Sequence, residues 1–129
     1  VMPPKVALLF EDNHLYRDLM TEILKEMDFR VTAFADPTSY VADTNRCNHC
    51  GGNVCADALI TDNQMPGMNG LELIQWMTDQ GCKLPKHRRA IISGSWSSEE
   101  YDQAQQLGCK IFKKPASMNE IHQWLDGVQ

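Results

Sequence analysis

The sequence lacks the features that mark membrane, exported and polyanion-binding proteins. No apolar run in its 129 residues approaches the roughly 20 residues that span a bilayer, and no basic segment followed by an apolar one resembles an export signal. Lys and Arg number only 12 against 17 Asp and Glu, for a net charge of −5. This balance argues against nucleic-acid binding through bulk electrostatics. We therefore expect a cytoplasmic protein without direct membrane or nucleic-acid partners.

Length and composition fit one folded domain. Hydrophobic residues make up 43% of the chain and charged residues 22%, which is the balance of a globular protein rather than a disordered one. A chain of this length leaves no room for a second ordinary domain. We expect a single domain over residues 1–129.

Five short apolar segments alternate with five helical patterns along the chain. The apolar segments cover residues 5–10, 29–34, 58–61, 90–93 and 110–113. Helical patterns follow them at about 13–28, 36–44, 71–77, 97–108 and 117–125. Such alternation predicts an α/β fold, in which a parallel sheet is covered by helices on both faces.

Residue spacing predicts which sides of the first and last helices face the core. The first helix has apolar residues at every fourth position, namely Leu15, Leu19, Ile23 and Met27. The last helix has them at Met118, Ile121 and Leu125. Both rows are typical of a helix face packed on a sheet. Asn13, Ser97 or Ser98, and Ser117 are predicted to cap the first, fourth and fifth helices.

Polar side chains follow four of the predicted strands at the point where each strand ends. They are Glu11 and Asp12, Asp62, Ser93, and Lys114. Because ligands bind at the carboxyl ends of strands in an open α/β sheet, these groups are expected to meet in one pocket. Each pair of like charges at about 4 Å costs about 4 kcal/mol at an effective dielectric constant near 20, and Mg²⁺ bound by a few carboxylates relieves that repulsion. The chemistry predicted here is attack of a carboxylate on a phosphoryl group.

The residues at these strand ends resemble the receiver domain of two-component response regulators. The resemblance lies in Glu11-Asp12, the run DNQMPGMNG at 62–70, Ser93-Gly94 and Lys114-Pro115, in that order along the chain. It covers essentially the whole sequence. It implies a flavodoxin-like (βα)5 fold, a doubly wound parallel five-stranded sheet of strand order 2-1-3-4-5.

The resemblance also implies a role for each residue of the site. Asp62 is the expected phosphoacceptor, and Mg²⁺ is expected to be held by Glu11, Asp12, Asp62 and the backbone carbonyl of Gln64. Lys114 is expected to bind the phosphoryl group and Ser93 to supply the switch hydroxyl. The Lys114–Pro115 peptide bond is expected to be cis, since cis bonds are almost confined to X-Pro.

The implied function is signalling rather than turnover of a free substrate. The phosphoryl donor is a histidine kinase or a phosphotransfer protein, and a downstream effector domain or protein reads the surface formed by the fourth helix, fifth strand and fifth helix. The sequence offers no further acid or His placed to activate water, so we expect self-phosphorylation and autodephosphorylation only, and no other enzymatic activity.

One departure from the family concerns the switch. Members of the family usually carry an aromatic residue three positions before the lysine, where this chain has Ile111. Phe112 is expected to face the opposite side of the strand, because side chains alternate along it. Trp96, in the loop after the fourth strand, is the alternative candidate for transmitting the switch.

A second departure is a Cys-rich insertion before the third strand, at about 45–56. It contains Cys47, His49, Cys50 and Cys55, and Cys-x₂-Cys on a Gly-rich loop is a common half-site for Zn²⁺. Cys82 is the expected fourth ligand, with His49 or His87 as alternatives, while Cys109 is expected to be a core thiol. Structural zinc, free thiols and a disulfide or redox switch all remain open. The alternative function is therefore a degenerate receiver that acts as a zinc-binding or redox-sensing interaction module.

Overall fold

Five parallel strands form one sheet in the order β2-β1-β3-β4-β5. The computed structural model describes residues 5–38, 40 and 56–128. The strands are β1 (Lys5–Phe10), β2 (Phe29–Phe34), β3 (Ala58–Asp62), β4 (Arg89–Ser93) and β5 (Lys110–Lys113). This order confirms the predicted flavodoxin-like sheet.

Four helices of the described chain cover the sheet. They are α1 (His14–Glu26), α2 (Gly70–Asp79), α3 (Ser98–Leu107) and α4 (Met118–Val128), and a 3₁₀ turn spans Lys86–Arg88. The short helix predicted over 36–44 falls largely outside the described residues, so the fourth and fifth predicted helices are α3 and α4. None of the helices described is long and apolar enough to cross a membrane.

Alternation along the strands builds a core on each face of the sheet. On one face Leu9 and Ile60 pack with α1 and α4, and on the other Leu59 and Ile91 pack with α2 and the single buried residue of α3, Ala104. All five residues of β3 and of β4 are buried. Strands buried on both faces are typical of a parallel sheet between two helical layers.

The predicted inner face of α1 is partly wrong. Leu15 and Leu19 are 70% and 52% exposed, whereas Ile23 is buried as predicted and Met27 packs half-buried against the core. Met20 and Leu24 are the further buried residues of the helix. A strict spacing of four residues drifts around a helix of 3.6 residues per turn, so the row begins outside the core-facing stripe at Leu15 and reaches it only at Ile23.

The predicted inner face of the last helix is also wrong at its first residue. Ile121 and Leu125 are buried as predicted, whereas Met118 is 46% exposed. Met118 is the first residue of α4, which begins beyond the carboxyl end of β5, so its side chain lies above the sheet edge rather than on the sheet. Ser117 caps this helix by accepting a hydrogen bond from the backbone N–H of Glu120, and Asn13 and Ser97 cap α1 and α3 in the same way.

A buried arginine anchors the edge of the sheet opposite the strand ends described above. Arg89, at the start of β4, is 3% exposed. Its guanidinium donates to the carbonyl of Leu84 at 2.7 Å and to Oγ1 of Thr78 at 2.8 Å. Because Thr78 lies on α2, one side chain joins that helix, the loop before β4 and the strand itself.

We predict that Arg89→Ala lowers the free energy of unfolding by about 2–4 kcal/mol, because it leaves the buried carbonyl oxygen of Leu84 without its donor and removes the hydrogen bond to Thr78. Urea unfolding followed by circular dichroism measures the change. Arg30→Ala, at an exposed position of β2, is the control and should shift the free energy by less than about 0.5 kcal/mol. Equal stability of the two variants would contradict the anchoring role.

Candidate functional site

Three carboxylates converge at the carboxyl ends of β1 and β3. Glu11 and Asp12 directly follow β1, and Asp62 is the last residue of β3. One oxygen from each of the three lies within 4.8 Å of the others. The two side chains nearest the sheet, Glu11 and Asp62, are 2% and 3% exposed, while Asp12 is exposed. The cluster is therefore open to solvent on one side only.

Among the described residues, Lys114 is the one cationic side chain that forms ion pairs with this cluster. Its Nζ lies 2.8 Å from Oε1 of Glu11 and 3.4 Å from Oδ2 of Asp62. The backbone N–H of Lys114 donates to the carbonyl of Ser93 at 2.8 Å, and the following Lys114–Pro115 peptide bond is cis. The ammonium group of Lys114 thus joins the end of β5 to the ends of β1 and β3, and its backbone N–H joins it to the end of β4.

The pKa shifts follow from burial and from this pairing. Burial raises the pKa of Glu11 to about 7, against the opposing effect of the hydrogen bond from Lys114. Burial lowers the pKa of Lys114, but the hydrogen bond to Glu11 and the negative charge of Asp62 outweigh it, so the net shift is upward. Lys114 is therefore a permanent cation, which partly compensates several carboxylates at once.

The donor set suits a hard divalent cation. Mg²⁺ prefers carboxylate and carbonyl oxygens and keeps several waters, and the exposed side of the cluster at Asp12 leaves room for them. Glu11, Asp12 and Asp62 would hold such an ion. The role expected for the carbonyl of Gln64 stays a prediction; its backbone N–H donates to Oδ1 of Asp62 at 3.1 Å.

Close packing against α2 fixes the position of Asp62. Gly70, the first residue of α2, donates its N–H to the carbonyl of Asn63 at 3.2 Å. A Cβ atom at Gly70 would lie 2.7 Å from the carbonyl oxygen of Asp62 and 3.1 Å from Cγ2 of Thr61. Only glycine allows the helix to begin this close to the strand.

The predicted switch hydroxyl lies at the end of β4. Ser93 is fully buried, and its Oγ donates to the carbonyl of Ser95 at 2.9 Å. Ser95 in turn accepts a hydrogen bond on its Oγ from the side-chain amide of Gln64 at 3.0 Å. In this structure the hydroxyl of Ser93 is therefore bonded within its own loop, which is linked to the loop that follows Asp62.

Ile111 and Phe112 face opposite sides of β5, as the alternation predicts. Ile111 packs with the core on the α2 side and Phe112 is buried in the core on the α1 side. Trp96 is half-buried against the same core as Ile111, and its indole N–H donates to the carbonyl of Phe112 at 2.9 Å. Its ring lies edge-on to Tyr101 of α3, with centroids 6.4 Å apart. The role of Trp96 in a switch stays a prediction.

Tyr16 is a site residue that sequence reasoning missed. Its ring centroid lies 4.4 Å from Nζ of Lys114, within the range of a cation–π interaction. Its hydroxyl accepts a hydrogen bond from the backbone N–H of Ala116 at 3.3 Å. One feature of the sequence could have indicated Tyr16. It lies three residues after Asn13, the predicted cap of α1, and therefore in the first turn of the helix, next to Glu11 and Asp12.

Only two of the five cysteines, Cys82 and Cys109, lie among the described residues. Cys47, His49, Cys50 and Cys55 lie outside the described residues. Cys82 is half-buried in the loop before β4, and the expected adjacency of β3 and β4 is present, so the loops before both strands start from the same sheet edge. Cys109 is half-buried, and its Sγ donates to the carbonyl of Ala104 at 3.3 Å.

Comparison with known sequences identifies one family. The family model described as response regulator receiver domain matches residues 7–126. ARR21 of Arabidopsis thaliana, which carries the name of a two-component response regulator, is 34% identical over 96 residues, covering 73% of this chain and 14% of ARR21. Protein RcaC of Microchaete diplosiphon is 38% identical over 74 residues, covering 57% of this chain and 10% of RcaC. The chain thus spans only a small part of either relative.

Comparison with solved structures gives the same fold. Chemotaxis protein CheY4 of Vibrio cholerae superposes with a TM-score of 0.76 at 20% identity, covering 98% of this chain and all of CheY4. The receiver domain of the response regulator NarL from Mycobacterium tuberculosis gives a TM-score of 0.75 at 22% identity, covering 98% of each chain. These likenesses support the fold.

We predict that Gly70→Ala lowers the free energy of unfolding by about 1–3 kcal/mol, because the added methyl group overlaps the carbonyl oxygen of Asp62 and forces α2 away from β3. Urea unfolding measures the loss. Gly94→Ala is the matched control, since a Cβ atom at Gly94 meets nothing within 4 Å. A Gly70→Ala protein as stable as this control would show that the close approach is not a constraint.

We predict that Cys109 reacts slowly with iodoacetamide in the native protein. Burial raises the pKa of this thiol to about 11, and a raised thiol pKa disfavours the reactive thiolate, so at pH 8 its thiolate fraction is about 100-fold below that of an exposed thiol of ordinary pKa. Peptide mass spectrometry measures its alkylation against the urea-unfolded chain. Equal rates in the two states would contradict the prediction.

Proposed function

The chain belongs to the response regulator receiver domain family, and from that membership we propose that it accepts a phosphoryl group from a histidine kinase or a phosphotransfer protein on Asp62. The observation that supports this most directly is the position of Lys114. Its ammonium group lies between Glu11 and Asp62 while Asp12 leaves the cluster open to solvent. The buried carboxylate of Asp62 lies beside a fixed cation, and the cluster is open to solvent on one side. Such a site can admit an anionic phosphoryl donor and offset its charge.

The proposed transfer starts from a phosphohistidine. A carboxylate oxygen of Asp62 attacks the phosphorus atom, an O–P bond forms, and the P–N bond of the donor breaks. The bonding electron pair stays on the imidazole nitrogen, which then carries a proton taken from solvent. Lys114 offsets negative charge on the phosphoryl oxygens throughout, because its ammonium group is already within 3.4 Å of Asp62.

Magnesium is the proposed cofactor, since members of the family generally use it and the acidic cluster fits it. Glu11, Asp12, Asp62 and the carbonyl of Gln64 would hold the ion. When bound, it offsets the charge of the carboxylates and of the incoming phosphoryl group. Without it, repulsion between the donor and the three acids opposes the approach of the phosphorus atom.

The proposed switch begins at Ser93. An acyl phosphate on Asp62 offers new acceptor oxygens, and the Ser93 hydroxyl exchanges its bond to the Ser95 carbonyl for one of them. That exchange moves the loop after β4, which carries Trp96, and alters the surface formed by α3, β5 and α4. Phosphorylation then shifts an existing equilibrium between two conformations.

Receiver domains of two-component systems generally act with kinases and with effector domains, and generally have no enzymatic activity on other substrates. For this chain we propose a kinase or phosphotransfer protein as donor and a downstream effector domain or protein as reader, in the cytoplasm. Self-phosphorylation and autodephosphorylation are its proposed reactions. Leu15 and Leu19 on α1, both exposed, offer apolar contact area for the donor beside the site.

The second candidate function is zinc binding or redox sensing at the cysteine loop. Its support is the spacing of Cys47 and Cys50 in the sequence, with Cys55 and Cys82 as further ligands and His49 as an alternative. β3 and β4 begin at the edge of the sheet opposite Asp62, so the proposed ligands that precede them are expected near that edge. Such a site would be structural or a separate input, and Cys47→Ser with Cys50→Ser would remove it without changing phosphorylation of Asp62.

We predict that acetyl phosphate with Mg²⁺ adds one phosphoryl group to the wild-type protein and none to Asp62→Asn, because the amide cannot form the acyl phosphate. Intact-protein mass spectrometry measures the adduct. The control Asp102→Asn changes an exposed carboxylate on α3 and should leave the yield unchanged, whereas chelation of Mg²⁺ by EDTA should abolish the adduct.

Failure of the wild-type protein to gain the phosphoryl group with Mg²⁺ present would contradict the proposed function and favour the degenerate receiver. A native mass spectrum of the same sample tests that second candidate. Loss of a zinc mass on denaturation would support a site at the cysteine loop, and its absence from freshly reduced protein would leave those residues as thiols or a redox pair.

A further inference from the structure

Asn63, the residue after Asp62, bridges two helices through its side chain. It is 2% exposed. Its Oδ1 accepts a hydrogen bond from the backbone N–H of Leu71 in the first turn of α2 at 3.2 Å. Its Nδ2 donates to Oε2 of Glu100 in α3 at 2.7 Å. The side chain next to the proposed phosphoacceptor is therefore bonded to both helices on that face of the sheet.

Glu100 belongs to the capping box that starts α3. Its Oε1 accepts from the backbone N–H of Ser97 at 3.1 Å, and Oγ of Ser97 accepts from the N–H of Glu100. The hydrogen bonds from Ser97 hold the pKa of Glu100 below its ordinary value. The bridge from Asn63 thus reaches the residue that fixes where α3 begins.

The rest of α3 is weakly anchored. Ala104 is its single buried residue, and burying a methyl group contributes little beside the side chains that α2 buries. A hydrogen bond to a charged carboxylate contributes more than one between neutral groups. The Asn63–Glu100 bond is therefore a large part of what holds the first turn of α3 in place.

The donors and acceptors of the bridge fit in one orientation only. Leu71 presents an N–H and needs an oxygen, while Glu100 presents a carboxylate and needs an N–H. Aspartate at position 63 alone places two acceptors face to face, and glutamine at position 100 alone offers one acceptor oxygen to two donors, the N–H of Ser97 and Nδ2 of Asn63. Exchanging the groups on both sides restores the match, because aspartate at position 63 can accept from Leu71 and from a glutamine at position 100.

Phosphorylation of Asp62 is expected to disturb this bridge. Asp62 is 3% exposed, and its Oδ1 already accepts from the backbone N–H of Gln64. A phosphoryl group on Asp62 adds negative charge and new acceptor oxygens beside the residues that follow it, so we expect the loop after β3 to adjust when it binds them. Asn63 is the first residue of that loop, and the geometry of its bridge tolerates little displacement.

We propose that Asn63 is a positioning residue that holds α3 in its unphosphorylated position through Glu100 and releases the helix when Asp62 is phosphorylated. This inference rests on the proposed function, since it assigns a route by which that site regulates α3. The route runs from the loop after β3 and is separate from the Ser93 hydroxyl at the end of β4. Two loops of the site therefore act on the same helix.

The test uses four proteins: the wild type, Asn63→Asp, Glu100→Gln, and the double variant. Hydrogen exchange of the α3 amides is measured by mass spectrometry before and after treatment with acetyl phosphate and Mg²⁺, and intact mass gives the extent of phosphorylation. Glu99→Gln is the matched control, because it makes the same charge change one residue away, at an exposed position. The amides of α1 serve as an internal reference.

In the wild type, phosphorylation should speed exchange in α3 by about tenfold, which corresponds to loss of a hydrogen bond to a charged group. Each single variant should show that faster exchange already before treatment, with no further increase on phosphorylation. The double variant should restore both the slow exchange and the response. Glu99→Gln should behave as the wild type.

Three results would overturn the inference alone, and the first two are phosphorylation of the wild type without faster exchange in α3 and single variants that exchange and respond as the wild type does. A double variant that behaves like the singles would also overturn it, because a matched hydrogen bond would then not be what holds the helix. A wild type that gains no phosphoryl group would overturn the proposed function and this inference with it.

Discussion

The ion pairs of Lys114 are the constraint on which the site depends. One ammonium group, 2.8 Å from Glu11 and 3.4 Å from Asp62, joins the ends of β1, β3 and β5. Burying two carboxylates is costly unless a cation accompanies them. The same ammonium that makes the carboxylates tolerable in the folded chain is therefore the group available to a phosphoryl oxygen. Tyr16 supports it by lying against Nζ and by bonding the backbone of the segment that follows.

Because the residues around Asp62 are tightly packed, we expect phosphorylation of Asp62 to displace neighbouring elements. Gly70 brings the start of α2 within reach of the strand end, and Asn63 is bonded to the first turns of two helices. Densely packed groups pass on displacement instead of absorbing it. A phosphoryl group on Asp62 is thus expected to move α3, which has Ala104 as its single buried residue.

The sheet and the acidic cluster could be predicted because their signals are local. Buried strands are continuous apolar runs, and in this chain a polar residue stands at the carboxyl end of four of them. Parallel topology brings those ends to one edge of the sheet. The predicted inner face of α1 was wrong at Leu15 and Leu19, because a spacing of four residues does not fit the 3.6-residue turn. Asn63 and Tyr16 were missed because their partners, Glu100 and Lys114, are distant in sequence. Only the folded chain brings such pairs together.

The register of β5 decides how the switch can work here. Side chains alternate along a strand, so Phe112 faces the core shared with α1 and cannot occupy the position that Ile111 holds on the other face. Ile111 has no ring whose swing could follow the Ser93 hydroxyl. Trp96 instead bonds the backbone of β5 at Phe112 and lies against Tyr101 of α3. We therefore expect movement of the loop after β4 to reach β5 and α3 through Trp96, and movement after β3 to reach α3 through Asn63. Two physical routes to the same surface would then remain in a receiver without the usual aromatic residue.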